Sequence, residues 1–295
     1  MLADIFKRFR NKPLLKLAVT SFITFLLLVG FVFDLKRVNG YDMQDTLEFG
    51  SVVGINKWRT HFKVGELILF YPQLSDTVEA TDYFIQRVCG APGDSVRISN
   101  KLLFVNGHAE PTSKTFRYNY FVTLKKGVSD SLLTQQYLLR EGGSVSESGA
   151  DYCYAMTTGL ADSLRKDTLV ASVNLRVEKA GAHDPTAFPG VVAYRWNKDW
   201  YGPLVIPKKD QALVLDTTTI KFYGKLLVLE SHRWRIGHDT IYVDDVATTS
   251  YTVKNDYYFV LGDDRDNAND SRSWGFLPAS RIKGSVTVLY TKGRR

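Results

Sequence analysis

The chain has 295 residues, 44% hydrophobic and 23% charged, which is enough for one sizeable domain carrying a large insertion and an anchoring segment. Its net charge of +7 is concentrated at the start: residues 1–37 hold seven basic side chains against two acidic ones, and the rest of the chain is nearly neutral, which argues against a basic face for nucleic acid. The five His are scattered without metal-ligand spacing, so neither a metal nor a cofactor is expected.

Leu14 to Phe33 reads LLKLAVTSFITFLLLVGFVF, with Lys16 as its only charge. As a helix it is roughly 30 Å long, the thickness of a bilayer core. The run exceeds the apolar centre of a cleaved signal peptide, and no A-x-A-like site follows Phe33. A retained transmembrane helix over 14–33 is therefore expected. The basic residues at or before Lys16 put residues 1–13 in the cytoplasm and the main domain on the outer or periplasmic side of the cytoplasmic membrane.

Beyond the span the pattern is mostly strands. Gly65 to Tyr71 is a compact apolar run ended by Pro72. Tyr83 to Gly90 is another, ended by Ala91-Pro92-Gly93-Asp94, a turn that Asp94 is placed to cap. Ser95 to Val105 runs on to Asn106-Gly107, a hairpin signal. Leu132, Leu133, Tyr137 and Leu138 have helical spacing within Ser131–Arg140, with Gly142 as a stop. A short helix is expected around Gly159–Arg165. Thr240–Val243, Tyr257–Leu261 and Gly284–Thr291 are late strand candidates. Residues 111–253 look like an insertion with a small fold of its own, between core segments 34–110 and 254–295. Cys89 and Cys153 could pair in an oxidising compartment, but two separate apolar fillers is the simpler reading.

Four segments, in order, resemble the boxes of the signal peptidase I (leader peptidase) family, membrane-anchored peptidases with a Ser–Lys dyad. Gly40-Tyr41-Asp42-Met43-Gln44-Asp45-Thr46-Leu47 resembles G-x-S-M-x-P-T-L, and Gly65-Glu66-Leu67-Ile68-Leu69-Phe70 resembles G-D-x-V-x-F. Tyr83 to Asp94 resembles Y-x-x-K-R-x-x-G-x-P-G-D. Gly262 to Gly275 resembles G-D-N-R-D-N-S-x-D-S-R-x-W-G. Trp196-Asn197-Lys198-Asp199 and Ile206-Pro207-Lys208-Lys209 look like the long-insert members. The resemblance implies a mainly β fold: a β-barrel-type catalytic domain with an inserted α+β subdomain and one N-terminal transmembrane helix.

The same resemblance implies that a Ser hydroxyl attacks the scissile carbonyl, a neutral Lys accepts its proton, and a second Ser orients the Lys. Here the nucleophile position is Asp42, the general-base position Gln86 and the base-orienting position Ala268, with Gly40 on the oxyanion side. A carboxylate is a poor nucleophile toward an amide, and a carboxamide accepts no proton near neutral pH. Asp263, Arg265, Asp270, Ser271 and Arg272 read as a structural carboxylate–guanidinium network. The expected role is an inactive homologue that binds signal peptides of exported preproteins beside the lipid bilayer.

Two other readings stand beside it. One is an active peptidase using Ser51 or Ser271 with Lys57 or Lys63, or an acid-type pair of Asp42 with a carboxylate such as Asp45. The other is a structural subunit accompanying an active signal peptidase or export component.

Overall fold

The computed structural model describes residues 13–72, 82–139, 141–146 and 149–291. The described residues begin with helix α1 (Pro13–Val32), which turns directly into β1 (Phe33–Arg37). Then come β2 (Val52–Asn56), β3 (Leu67–Phe70), β4 (Phe84–Gly90), β5 (Ser95–Ser99), β6 (Leu102–Val105) and β7 (His108–Ala109). The middle adds β8 (Arg117–Leu124), α2 (Asp130–Tyr137), β9 (Gly142–Ser144), β10 (Asp151–Thr157), α3 (Thr158–Leu164) and β11 (Val170–Leu175). After it come β12 (Trp200–Val205), β13 (Ala212–Val214), α4 (Ile220–Leu229), β14 (Trp234–Gly237), β15 (Thr240–Val243), β16 (Val246–Ala247) and β17 (Ser250–Thr252). The described residues end with β18 (Tyr257–Leu261), α5 (Ser271–Trp274), β19 (Leu277–Pro278) and β20 (Ile282–Tyr290).

The fold is mainly β. Its centre is a seven-stranded sheet in the order β1-β2-β20-β3-β4-β18-β19. This sheet is open, with β1 and β19 at its edges, so the expected barrel does not close. The remaining strands form smaller sheets, of which β11-β8-β10-β9 and β12-β5-β6-β7 are four-stranded.

The position of β4 in this order matters most for the site. It lies between β3 and β18, with Ile68 opposite Gln86 and Leu67 opposite Arg87. Alternation sends consecutive side chains to opposite faces of the sheet. Val88 joins Phe70, Tyr258 and Val260 in one core cluster, while Cys89 joins Phe259, Leu261, Val96, Tyr201 and Ile206 in another. Every residue of β18 is buried because the strand is covered on both faces. A third cluster of Met43, Leu47, Val53, Ile55, Leu69 and Ile85 pins the loop after β1 onto the sheet.

Several expectations shift at their boundaries. Phe33 begins β1, where its backbone pairs with Asn56, instead of ending the helix. Much of the predicted span's side-chain detail lies outside the described residues. Among the described residues no helix is long and apolar enough to cross a membrane. The expected run Ser95–Val105 is two strands, because Asn100 (φ 51°) and Lys101 (φ 67°) both turn left-handed between them. Lysine gives no sequence cue for that conformation. Tertiary contacts hold it there: the Lys101 ammonium reaches Asp199 at 2.7 Å and Asp266 at 2.6 Å. The Asn106-Gly107 turn forms as expected between β6 and β7. Cys89 and Cys153 are both free thiols.

Candidate active-site cleft

The first box forms a loop of tight turns between β1 and β2. Leu47 and Met43 are buried at its base, and main-chain bonds from Gln44 and Leu47 back to Tyr41 and Met43 tighten it. The Asp42 carbonyl accepts a 2.9 Å bond from the Asp264 amide, which joins the first box to the fourth. Gly262 makes this approach possible. A Cβ on Gly262 would stand 2.7 Å from the Asp42 oxygen and 2.3 Å from the Ala268 Cβ. The residues at the nucleophile, base and orienting positions are thus gathered at one point.

At that point Gln86 is fully buried, and its Nε2 donates to Asp42 Oδ2 at 2.9 Å and to the Asn269 carbonyl at 3.0 Å. Both partners are acceptors, which fixes the amide with its NH₂ toward them. Gln86 Oε1 is buried and accepts no hydrogen bond. Burial pushes the Asp42 carboxyl above its usual range, opposed first by the Gln86 bond; the Asp270 charge also raises it, and Lys198 lowers it. Ala268 is 1% exposed and presents only a methyl group.

Aspartate carries its terminal oxygen one atom farther from the backbone than serine does. Glutamine carries its terminal nitrogen one atom nearer than lysine does. The hydrogen-bonded Asp42–Gln86 pair therefore spans the gap with the same number of atoms as a Ser–Lys pair would.

A groove of about 160 Å³ leads away from Asp42. One wall holds Val38, Asn39, Gly40 and Met43, and the other Asp82, Tyr83, Phe84 and Ile85. A Cβ on Gly40 would meet nothing within 4 Å, so that position is open. The Tyr83 hydroxyl donates to the Arg37 carbonyl and joins the two walls. Beyond Gln86, β18 pairs with residues 87–90 of β4, so among the described residues 84–86 have no strand partner on that side.

The charged residues of the fourth box form two clamps, joined to each other by the Arg272 Nη2 bond to the Arg265 carbonyl and by the approach of Arg265 to Asp263. Asp263 accepts from Arg87 Nε at 2.9 Å, Arg87 Nη2 at 2.6 Å and the Thr46 hydroxyl at 2.6 Å. Asp270 accepts from Arg272 Nε and Nη2 at 2.9 and 2.7 Å. Arg265 lies 3.9 Å from Asp263, and its guanidinium stacks 4.0 Å from the Phe116 ring centre. The Ser271 hydroxyl accepts from the Val260 amide, which makes it a strand tie. Ser51 is fully buried, and its main chain pairs with Val38.

A model of the family described as signal peptidase, peptidase S26, matches residues 12–143 and 210–291. The chain belongs to this family. It is 45% identical to signal peptidase I of Aquifex aeolicus over 53 residues, 18% of this chain and 21% of that protein. It is 30% identical to signal peptidase I P of Bacillus subtilis subsp. natto over 117 residues, covering 39% and 60%. For signal peptidase I of Bacillus caldolyticus the figures are 32% over 111 residues, 38% and 56%. The chain thus spans less than two thirds of each of these relatives. All four boxes, with Asp42, Gln86 and Ala268, fall inside the family match, and 144–209 falls outside it.

Reasoning from the boxes alone missed Arg87 as the chief partner of Asp263, although the arginine of the third box was its signal. It also missed Lys198, whose ammonium lies 3.4–3.5 Å from the Asp266 and Ala268 carbonyls and whose charge partly offsets the upward push on Asp42. Lys198 comes from the segment outside the family match, where sequence offers no register to the boxes.

Proposed function

We propose that this chain is a membrane-anchored signal peptidase homologue that binds extended signal-peptide segments and does not cleave them. The observation that carries the reading is the Gln86–Asp42 hydrogen bond, which occupies the place of a nucleophile and its base with groups that can do neither job. An amide nitrogen has no proton affinity near neutral pH, and a carboxylate already accepting a hydrogen bond is a weak attacking group. An acid-type pair finds no support at Asp42: its side-chain partner is an amide, while Asp270 is engaged by Arg272 and Asp45 faces Arg117.

The groove supports capture. The stretch of β4 at 84–86, which pairs with no strand on its β18 side among the described residues, is suited to strand addition, and the space beside Gly40 and Asp42 suits small side chains. Anchoring is supported by the apolar run Leu14–Phe33 with its basic flank and by exposed Leu17, Phe22, Phe33 and Leu35 along α1 and β1. In this reading residues 1–13 lie in the cytoplasm and the domain on the outer side. Residues 34–110 with 254–295 form the core, and 111–253 the inserted subdomain.

The experiment is photocrosslinking of the purified full chain to a preprotein, run beside a cleavage assay. Crosslinks at Tyr83 or Ile85 with intact preprotein are expected. Absence of crosslinks, or release of mature protein, overturns the proposal.

A further inference from the structure

A second group of reactive side chains is built from residues that take no part in the cleft. Three stretches of chain meet at the end of α4: His232 just after the helix, Asp244 in the turn between β15 and β16, and Lys254 between β17 and β18. His232 Nδ1 lies 2.6 Å from Asp244 Oδ2, and His232 Nε2 lies 2.7 Å from the Lys254 amino nitrogen. An ammonium donates and cannot accept, so Nε2 carries the ring's lone pair, and the ring proton sits on Nδ1 and points at Asp244. The three side chains therefore stand in the order carboxylate, imidazole, amine.

The main chain holds them there. Glu230 is buried, and its carboxylate accepts from the Lys254 amide at 3.0 Å, the Asn255 amide at 2.9 Å, the Tyr257 hydroxyl at 3.0 Å and the Tyr251 hydroxyl. Asp244 accepts from the Arg233 amide at 2.9 Å, which fixes the carboxylate beside the ring. The ring of Tyr251 meets His232 edge-on, with centres 5.4 Å apart. The His232 side chain is 19% exposed, while Lys254 is open to solvent. The base is sheltered and the amine can be reached by a reagent.

We propose that Lys254 is an acyl-acceptor site served by His232 and Asp244, taking acyl groups from activated donors of the thioester class. A nucleophile within hydrogen-bond reach of a base, with the base oriented by a third group, is the arrangement that nucleophilic attack requires. Lys254 reacts from its neutral amine form. Its nitrogen bonds the acyl carbon, the carbon–sulfur bond breaks, and the thiolate leaves. The proton shed by the nitrogen passes to His232 Nε2, which returns it to the thiolate or to water. Asp244 stays ionised throughout and stabilises the imidazolium that forms. The neutral imidazole does not make the resting ammonium a stronger acid; it acts as the carbon–nitrogen bond forms. The titratable groups around the ring are Asp244, Lys254 and Tyr251, with Glu230 beyond the Tyr251 hydroxyl. The inference is independent of whether the groove binds peptide.

The test is acetylation of the purified full chain by a small acetyl thioester, S-acetyl-N-acetylcysteamine, read lysine by lysine by peptide mass spectrometry. Lys221, an exposed lysine on α4, is the reference within the same chain. A positioned base contributes roughly 10²–10⁴-fold at best, so Lys254 is expected to react at least about tenfold faster than Lys221. The ratio is expected to fall on acidification, because a protonated imidazole accepts nothing. His232→Gln should bring the ratio to about one and remove its pH dependence. Asp244→Asn, which can donate to Nδ1 and so moves the ring proton to Nε2, should lower it in the same way. If His232 only shaped the surface, its loss would leave Lys254 as reactive as before or more so. A wild-type ratio near one at every pH, or a raised ratio that survives His232→Gln, overturns the proposal.

Discussion

Replacing Asp42 by Ser, Gln86 by Lys and Ala268 by Ser is expected to install peptidase activity, and the structure says why all three are needed. Serine withdraws the reacting atom by one position and lysine advances by one, so the 2.9 Å contact is kept by the pair and by neither single change. Gln86→Lys alone places an ammonium against the Asp42 carboxylate. At an ion-pair distance of about 4 Å and an effective dielectric near 20 their attraction is about 4 kcal/mol, which holds the lysine charged and useless as a base. Asp42→Ser alone supplies a hydroxyl facing an amide. With both, burial at a fully buried position favours the neutral amine, and a hydroxyl at 268 can orient it. A positioned base contributes roughly 10²–10⁴-fold, so the triple variant should cleave a preprotein about that much faster than either single variant. The assay is gel-based appearance of mature protein, with the fold checked by circular dichroism. A folded triple variant as silent as the wild type would refute the claim that only the chemistry has been lost from an intact cleft.

Other consequences follow from the same contacts. Asp263→Ala strips Arg87 of its bidentate partner and Thr46 of its acceptor, and should cost about 3–5 kcal/mol, read as a lowered urea midpoint. Gly262→Ala drives a methyl into the Asp42 carbonyl and Ala268, and should cost about 1–3 kcal/mol while displacing Asp42, visible as weakened peptide crosslinking. Because the folded state raises the Asp42 pKa, it binds that proton more tightly than the unfolded chain does. Asp42 therefore subtracts stability as pH rises through and above the ordinary carboxylate range. Asp42→Asn should remove that slope and gain most relative to wild type near neutral pH, measured by denaturation at a series of pH values.

Several strands were legible because local signals and tertiary needs agreed there. Thr240–Val243 and Tyr257–Leu261 form as read, and the third box gave the strand that carries Gln86 and Arg87. The gathering of Asp42, Gln86 and Ala268 follows from the four boxes in order. Illegible were the features set by distant contacts. Lys101 turns left-handed because Asp199 and Asp266 hold its ammonium, and no local pattern encodes that. The barrel did not close because edge pairing depends on strand lengths and twist that residue types do not give. The convergence of Asp45 and Asp264 on Arg117 was illegible because the three are separated widely along the chain.

The central claim is that the Asp42–Gln86 contact has replaced a working dyad. It is tested most directly by incubating the purified full chain with a preprotein in detergent or lipid and following release of the mature form. The account predicts no release above a buffer control, with Asp42→Ala indistinguishable from the wild type. Turnover by the wild-type chain, abolished by Asp42→Ala or not, would contradict it.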